Sequence, residues 1–169
     1  MAQKIGLAER YEQAWRIWNE AMDGLHDADF QASVYPHWNL KDIVGHVYSY
    51  MDLMLRHVES FRKRKKLASP RSPSYSYFNR REAERLRQVP AAQLRSDLAS
   101  TYQKLTAILP TLTDDDLKKS FPSQWWNSQG HTTLRGLIRE EASHIVIHAG
   151  DIRKWKERQK VGSKDKGKL

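Results

Sequence analysis

The segment Arg139–Trp155, REEASHIVIHAGDIRKW, constrains this chain more than any other. Leu134, Leu137, Ile138, Ile145, Val146, Ile152 and Trp155 recur at helical steps, and His144 and His148 fall four residues apart among them. On a helix that spacing puts both imidazoles on one face, one turn apart. An imidazole in an apolar interior has two ring nitrogens to satisfy. A metal ion satisfies one on each ring, and an i, i+4 histidine pair is the two-histidine half of many zinc sites. The segment therefore asks for an apolar surface to pack on, and for either a third ligand or polar partners for the two rings.

The rest of the chain offers helical surfaces. Residues 3–25 carry Ile5, Ala8, Tyr11, Trp15, Trp18, Met22 and Leu25 at three- and four-residue steps. After a polar connection containing Pro36, Asn39 is placed to cap a second helix with Asp42 in its first turn. Leu40, Ile43, Val44, Val47, Tyr50, Met51, Met54, Val58 and Phe61 carry that helix to about Lys66. His46 lies on or beside the stripe. His57, among charged neighbours, reads as surface. The proline- and serine-rich stretch 67–77 reads as a loop, followed by a helical piece from Phe78 to Arg87.

Pro90 suits the first position of a further helix bearing Leu94, Leu98, Tyr102, Leu105, Ile108 and Leu109. Thr113 is placed to cap a turn whose first residues are Asp114, Asp115 and Asp116, which accounts for the aspartates without a calcium site. Residues 121–131, FPSQWWNSQGH, set Trp125 and Trp126 side by side in a loop, one to pack and one to rim a pocket. Thr132 or Thr133 then caps the last helix. No segment joins strand length to alternation and hairpin signals. The expected fold is all-α: four long amphipathic helices in a four-helix bundle spanning residues 1–160, with 161–169 as a disordered basic tail.

With no cysteine in 169 residues, disulfides and thiolate metal sites are excluded. No run reaches the length of a membrane span, and the charged amphipathic start is unlike a signal peptide; a cytoplasmic protein is expected. The net charge of +9 is local: Arg62–Lys66 carries +5 and Arg153–Lys168 carries +6, leaving −2 for all other residues. Such runs can contact nucleic acid. The simpler reading is solvated helix ends and a loose tail.

In a bundle, His46 on the second helix and His144 and His148 on the last can converge, and three histidines plus an open position is the catalytic form of a zinc-like site. Zinc, nickel and iron are not distinguished by nitrogen ligands. A di-iron site would need a second Glu-x-x-His motif beside Glu141–His144, but the residue three before His46 is Ile43. Glu141 has two readings, a partner that orients a ligand histidine and a surface carboxylate paired with nearby arginines.

Two stretches resemble the DinB/YfiT-like superfamily of metal-binding bundles. Trp38-Asn39-Leu40-Lys41-Asp42-Ile43-Val44-Gly45-His46 is similar to the motif opening that family's second helix. His144-x-x-x-His148-x-x-Asp151-Ile152-x-x-Trp155 is similar to its closing helix. Asn39 stands where Ser or Thr is usual. The resemblance implies an up-down-down-up bundle with His46, His144 and His148 as ligands of one divalent ion. Family members include thiol-dependent transferases, mycothiol-dependent isomerases and metal-dependent hydrolases. The ClbS/DfsB-like branch is similar around Phe78-Asn79 and Trp125–Trp155.

The leading expectation is a metal-dependent hydrolase or low-molecular-weight-thiol S-transferase acting on a small electrophile, with Tyr77, Trp125 and Trp126 as candidate pocket walls. A ClbS-like protective or ligand-sequestering protein is the alternative, and a nucleic-acid-associated protein ranks last. Surplus apolar surface would serve a homodimer, as in relatives.

Overall fold

The computed structural model describes residues 6–69, 71–122 and 131–166, with side chains to residue 160. Helices α1 (Leu7–Met22), α2 (Leu40–Arg64), α4 (Ala91–Ile108) and α6 (Leu134–Lys166) form the bundle; α3 (Tyr75–Leu86) and α5 (Asp114–Lys118) are shorter. Among the described residues no helix is long and apolar enough to cross a membrane.

Contacts along the helices fix their directions. The last turn of α1 meets the later part of α6, where Arg153 reaches the Glu20 carboxylate at 2.9 Å and Lys156 the Asp23 carbonyl at 2.6 Å. Arg10 and Gly136 share a cleft at the opposite end, so α1 and α6 run parallel. Trp15 on α1 stacks on Tyr102 late in α4 at 4.4 Å, while Met22 lies beside Ala92 at its start, so those two are antiparallel. Gly45 near the start of α2 faces Leu94 near the start of α4. The order is up-down-down-up, as expected of an all-α four-helix bundle of the DinB/YfiT-like kind.

α2 is the central element. Its stripe of Leu40, Ile43, Val44, Val47, Met51, Met54 and Val58 is fully buried against α4 and α6. Asn39 caps it as expected: its side-chain oxygen accepts from the Asp42 amide at 2.8 Å, and the Asp42 carboxylate accepts from the Asn39 amide at 2.9 Å. The helix stops at Arg64 because Lys65 turns left-handed, with φ 55°. Thr113 and Asp116 form the same reciprocal cap on α5 at 3.1 Å each. All three aspartates of that turn are paired with cations, Asp114 with Arg135, Asp115 with Lys118 and Asp116 with Lys65.

Two expectations need correction. Short antiparallel ribbons do occur, β1 (Ser33–Tyr35) with β2 (Trp38–Asn39), and β3 (Ser120–Pro122) with β4 (His131–Thr133). At two or three residues they are too short to show alternation in sequence. His57 is not on the surface: it is fully buried, and burial first, then Arg56, lowers its pKa to about 4.

Candidate metal centre

The antiparallel crossing of α2 and α6 brings three imidazoles together. His46 stands two turns into α2, and His144 and His148 lie in the middle of α6. The Nε2 of His144 is 3.0 Å from the Nε2 of His46 and 3.0 Å from the Nε2 of His148. One nitrogen from each ring falls within 4.8 Å of the other two.

Carboxylates stand behind the two rings of α6, and aromatic rings pack on His46 and His144. The Nδ1 of His148 lies 3.1 Å from the Asp151 carboxylate, one turn further along α6. Tyr35 of β1 also hydrogen-bonds Asp151; burial first, then that bond, pushes the phenol up to about 12. The Nδ1 of His144 faces Glu141, one turn back, at 3.6 Å. Trp38 packs edge-on against His46 with ring centres 4.8 Å apart, and the Tyr50 ring sits 4.8 Å from both His46 and His144. The Tyr50 hydroxyl donates to Asn79 of α3 at 2.8 Å.

Burial, followed by the two neighbouring histidines, lowers His46 to about 2. Burial, then His144, lowers His148 to about 4, against the pull of Asp151 in the other direction. Both rings are therefore neutral at pH 7. A neutral imidazole carries one N–H and one lone pair. With the proton of His148 on Nδ1 towards Asp151, its Nε2 presents a lone pair. The single site at His144 Nε2 cannot satisfy both neighbours 3.0 Å away, since it is either one donor or one acceptor. A cation among the three nitrogens removes that conflict, and neutral imidazoles with a carboxylate behind the ring are the donor set that zinc, nickel or iron accepts. The residues present fit such an ion.

Space adjoins the cluster beside His46 and beside His144. A cavity of about 260 Å³ beside His46 is lined by Trp38, Lys41, Phe78, Asn79, Glu82 and Arg87. A second cleft of about 250 Å³ reaches His144 between Tyr50, Tyr75, Glu140 and Glu141. A small molecule in either would lie against an imidazole.

Of the residues singled out from sequence, His46, His144 and His148 come together. Glu141 does not take the surface role: it is 2 % exposed and faces His144. Tyr77 is 43 % exposed under Arg80 and is not among the residues lining either space. Trp125 and Trp126 lie outside the described residues. Sequence reasoning passed over Asp151, Tyr50 and Trp38 as site residues, although Asp151 follows His148 by the same three-residue step that separates Glu141 from His144. The two basic runs are far apart. Lys65 reaches Asp116 at one end of the bundle, whereas Arg158 reaches Val34 at the other, where Arg153 and Lys156 also attach. Residues 135 and 158 of α6 are separated by about 35 Å of helix, so the runs do not form one basic face.

The family described as mycothiol maleylpyruvate isomerase N-terminal domain matches residues 11–153. Among solved structures, an uncharacterised protein from Escherichia coli UTI89 superposes with a TM-score of 0.75 at 13 % identity, covering 95 % of this chain and 98 % of that one. The colibactin self-resistance protein ClbS, solved in complex with a double-stranded DNA, gives a TM-score of 0.72 at 15 % identity, covering 88 % and 91 %. The mycothiol-dependent maleylpyruvate isomerase gives 0.71 at 15 % identity, covering 87 % of this chain and 60 % of its own length. At these identities the likeness speaks for the fold. No curated protein matches the sequence significantly.

Proposed function

Because this chain belongs to the family of the mycothiol maleylpyruvate isomerase N-terminal domain, we propose that it is a DinB/YfiT-like enzyme that binds one divalent ion through His46, His144 and His148. It would hydrolyse a small electrophile or join it to a low-molecular-weight thiol. The observation that carries this reading is the meeting of three Nε2 atoms from two different helices, that of His144 standing 3.0 Å from each of the other two.

An ion held with an open position lowers the pKa of water or thiol bound to it and supplies a nucleophile near neutral pH. The chain's own residues would do the rest. Asp151 keeps the His148 proton on Nδ1 and its lone pair directed inward. Trp38 and Tyr50 wall the rings from bulk water, and Asn79 fixes the Tyr50 hydroxyl. The cavity beside His46 would hold the electrophile, its apolar body against Trp38 and Phe78 and any anionic end towards Lys41.

The test is elemental analysis of protein purified without chelator or a histidine tag, beside His46→Ala. About one equivalent of metal in the parent and its loss in the variant is the expected result. A parent that stays metal-free after incubation with zinc and nickel overturns the reading, and a ClbS-like, metal-independent role would take its place.

A further inference from the structure

One buried group has no place in the scheme above. The Glu141 carboxylate is 1 % exposed, and neither of its oxygens is hydrogen-bonded by a protein group among the described residues. The Nδ1 of His144, 3.6 Å away, is likewise buried without a partner. The hydroxyl of Tyr11, fully buried on α1, is a third, and burial first, then the charge of Glu141, raises its pKa well above the ordinary value. Buried polar groups without partners cost free energy that apolar groups in their place would not. By contrast, the pair on the other ring, His148 with Asp151, is already closed at 3.1 Å.

The geometry explains the difference. His144 is the middle ring, with both 3.0 Å contacts made to its Nε2. Ligand nitrogens of a tetrahedral zinc site stand about 3.4 Å apart, from Zn–N lengths of ~2.05 Å. Opening the triangle to that size moves His144 back along its own axis by a few tenths of an ångström. The Glu141 carboxylate faces the other nitrogen of the same ring, so a shift of that size towards it brings Nδ1 from 3.6 Å to hydrogen-bond distance.

We infer that Glu141 is the positioning residue of the metal centre, its bond to His144 closing only when an ion is bound, with Tyr11 supporting the carboxylate from α1. The inference rests on the three-histidine reading. In the ion-free protein Glu141 is a stored cost; in the loaded protein it fixes the His144 tautomer and strengthens the ligand.

The test compares the parent with Glu141→Gln and Tyr11→Phe. Cobalt(II) affinity is read from visible absorption in competition with a chelator, and melting temperature is read with and without zinc. Glu141→Gln should bind cobalt 10–100-fold more weakly, while its ion-free melting temperature stays equal to the parent's or rises. Tyr11→Phe should weaken cobalt less and leave the ion-free fold intact. A role in folding alone would lower the ion-free melting temperature instead, and that outcome overturns the inference. So does a Glu141→Gln protein that binds cobalt as tightly as the parent, with the three-histidine site left standing. A parent that binds neither ion sinks both readings at once.

Discussion

The Nε2 atoms of His46 and His144 stand 3.0 Å apart although 98 positions separate them in the chain. That closeness depends on the whole antiparallel crossing of α2 and α6, because neither helix sets it alone. His46 takes its place from the helix start: Asn39 and Asp42 cap α2 reciprocally two turns before it. Asn39→Ala removes the accepting oxygen from the Asp42 amide. Stability should fall by about 1 kcal/mol, measured by urea unfolding of the ion-free protein, while the zinc-loaded protein keeps its stoichiometry.

Asp151 and Glu141 flank the two rings of α6, and they differ in state. The Asp151 carboxylate stands 3.1 Å from His148, whereas the Glu141 carboxylate stands 3.6 Å from His144. Asp151→Asn keeps an acceptor but removes the charge that makes the imidazole a stronger ligand. Cobalt affinity should fall roughly 10–100-fold, measured by chelator competition. Unchanged affinity would show that His148 needs no carboxylate behind it.

Tyr50 joins the histidine cluster to α3. Its ring touches His46, His144 and Phe78, and its hydroxyl donates to Asn79. Removing one partner strands the other, so the single variants Tyr50→Phe and Asn79→Ala should each cost about 1 kcal/mol. The double variant should cost less than their sum by about 1 kcal/mol, measured in a four-protein unfolding cycle. Strict additivity would mean that the 2.8 Å contact carries no coupling between α2 and α3.

How far the sequence discloses this arrangement depends on the kind of signal. Helices of eighteen residues and more, such as α2 and α6, repeat their apolar step often enough to be read, and the cap at Asn39 marks a boundary by its own chemistry. Glu141, left between two readings, and His57, read as surface, share a reason. Both fall on the buried stripe, Glu141 three and four residues from Ile138 and Leu137, His57 three from Met54 and four from Phe61. Residue type argued for the surface while periodicity argued for the core, and periodicity was right in both cases. The ribbons β1–β2 and β3–β4 are too short to repeat anything. Tyr50 looked like one more apolar residue of its stripe, because its partner Asn79 belongs to a separate helix.

His57 supplies a test of acid sensitivity away from the three-histidine cluster. Burial lowers its folded pKa to about 4, below the unfolded value of 6.5. The neutral ring suits both states above pH 6.5, so the group is then nearly silent. Below 6.5 the unfolded chain takes up a proton that the folded chain refuses until about pH 4, and stability falls across that window. The slope approaches ~1.4 kcal/mol per pH unit within it. Between pH 7 and 4.5 the ion-free parent should lose about 2 kcal/mol more than His57→Leu, whatever the two proteins' starting stabilities. Urea unfolding at both pH values measures the difference. The leucine variant loses the ring's own contacts at every pH, so its absolute stability is no guide, and only parallel losses in the two proteins would show that His57 titrates normally inside the core.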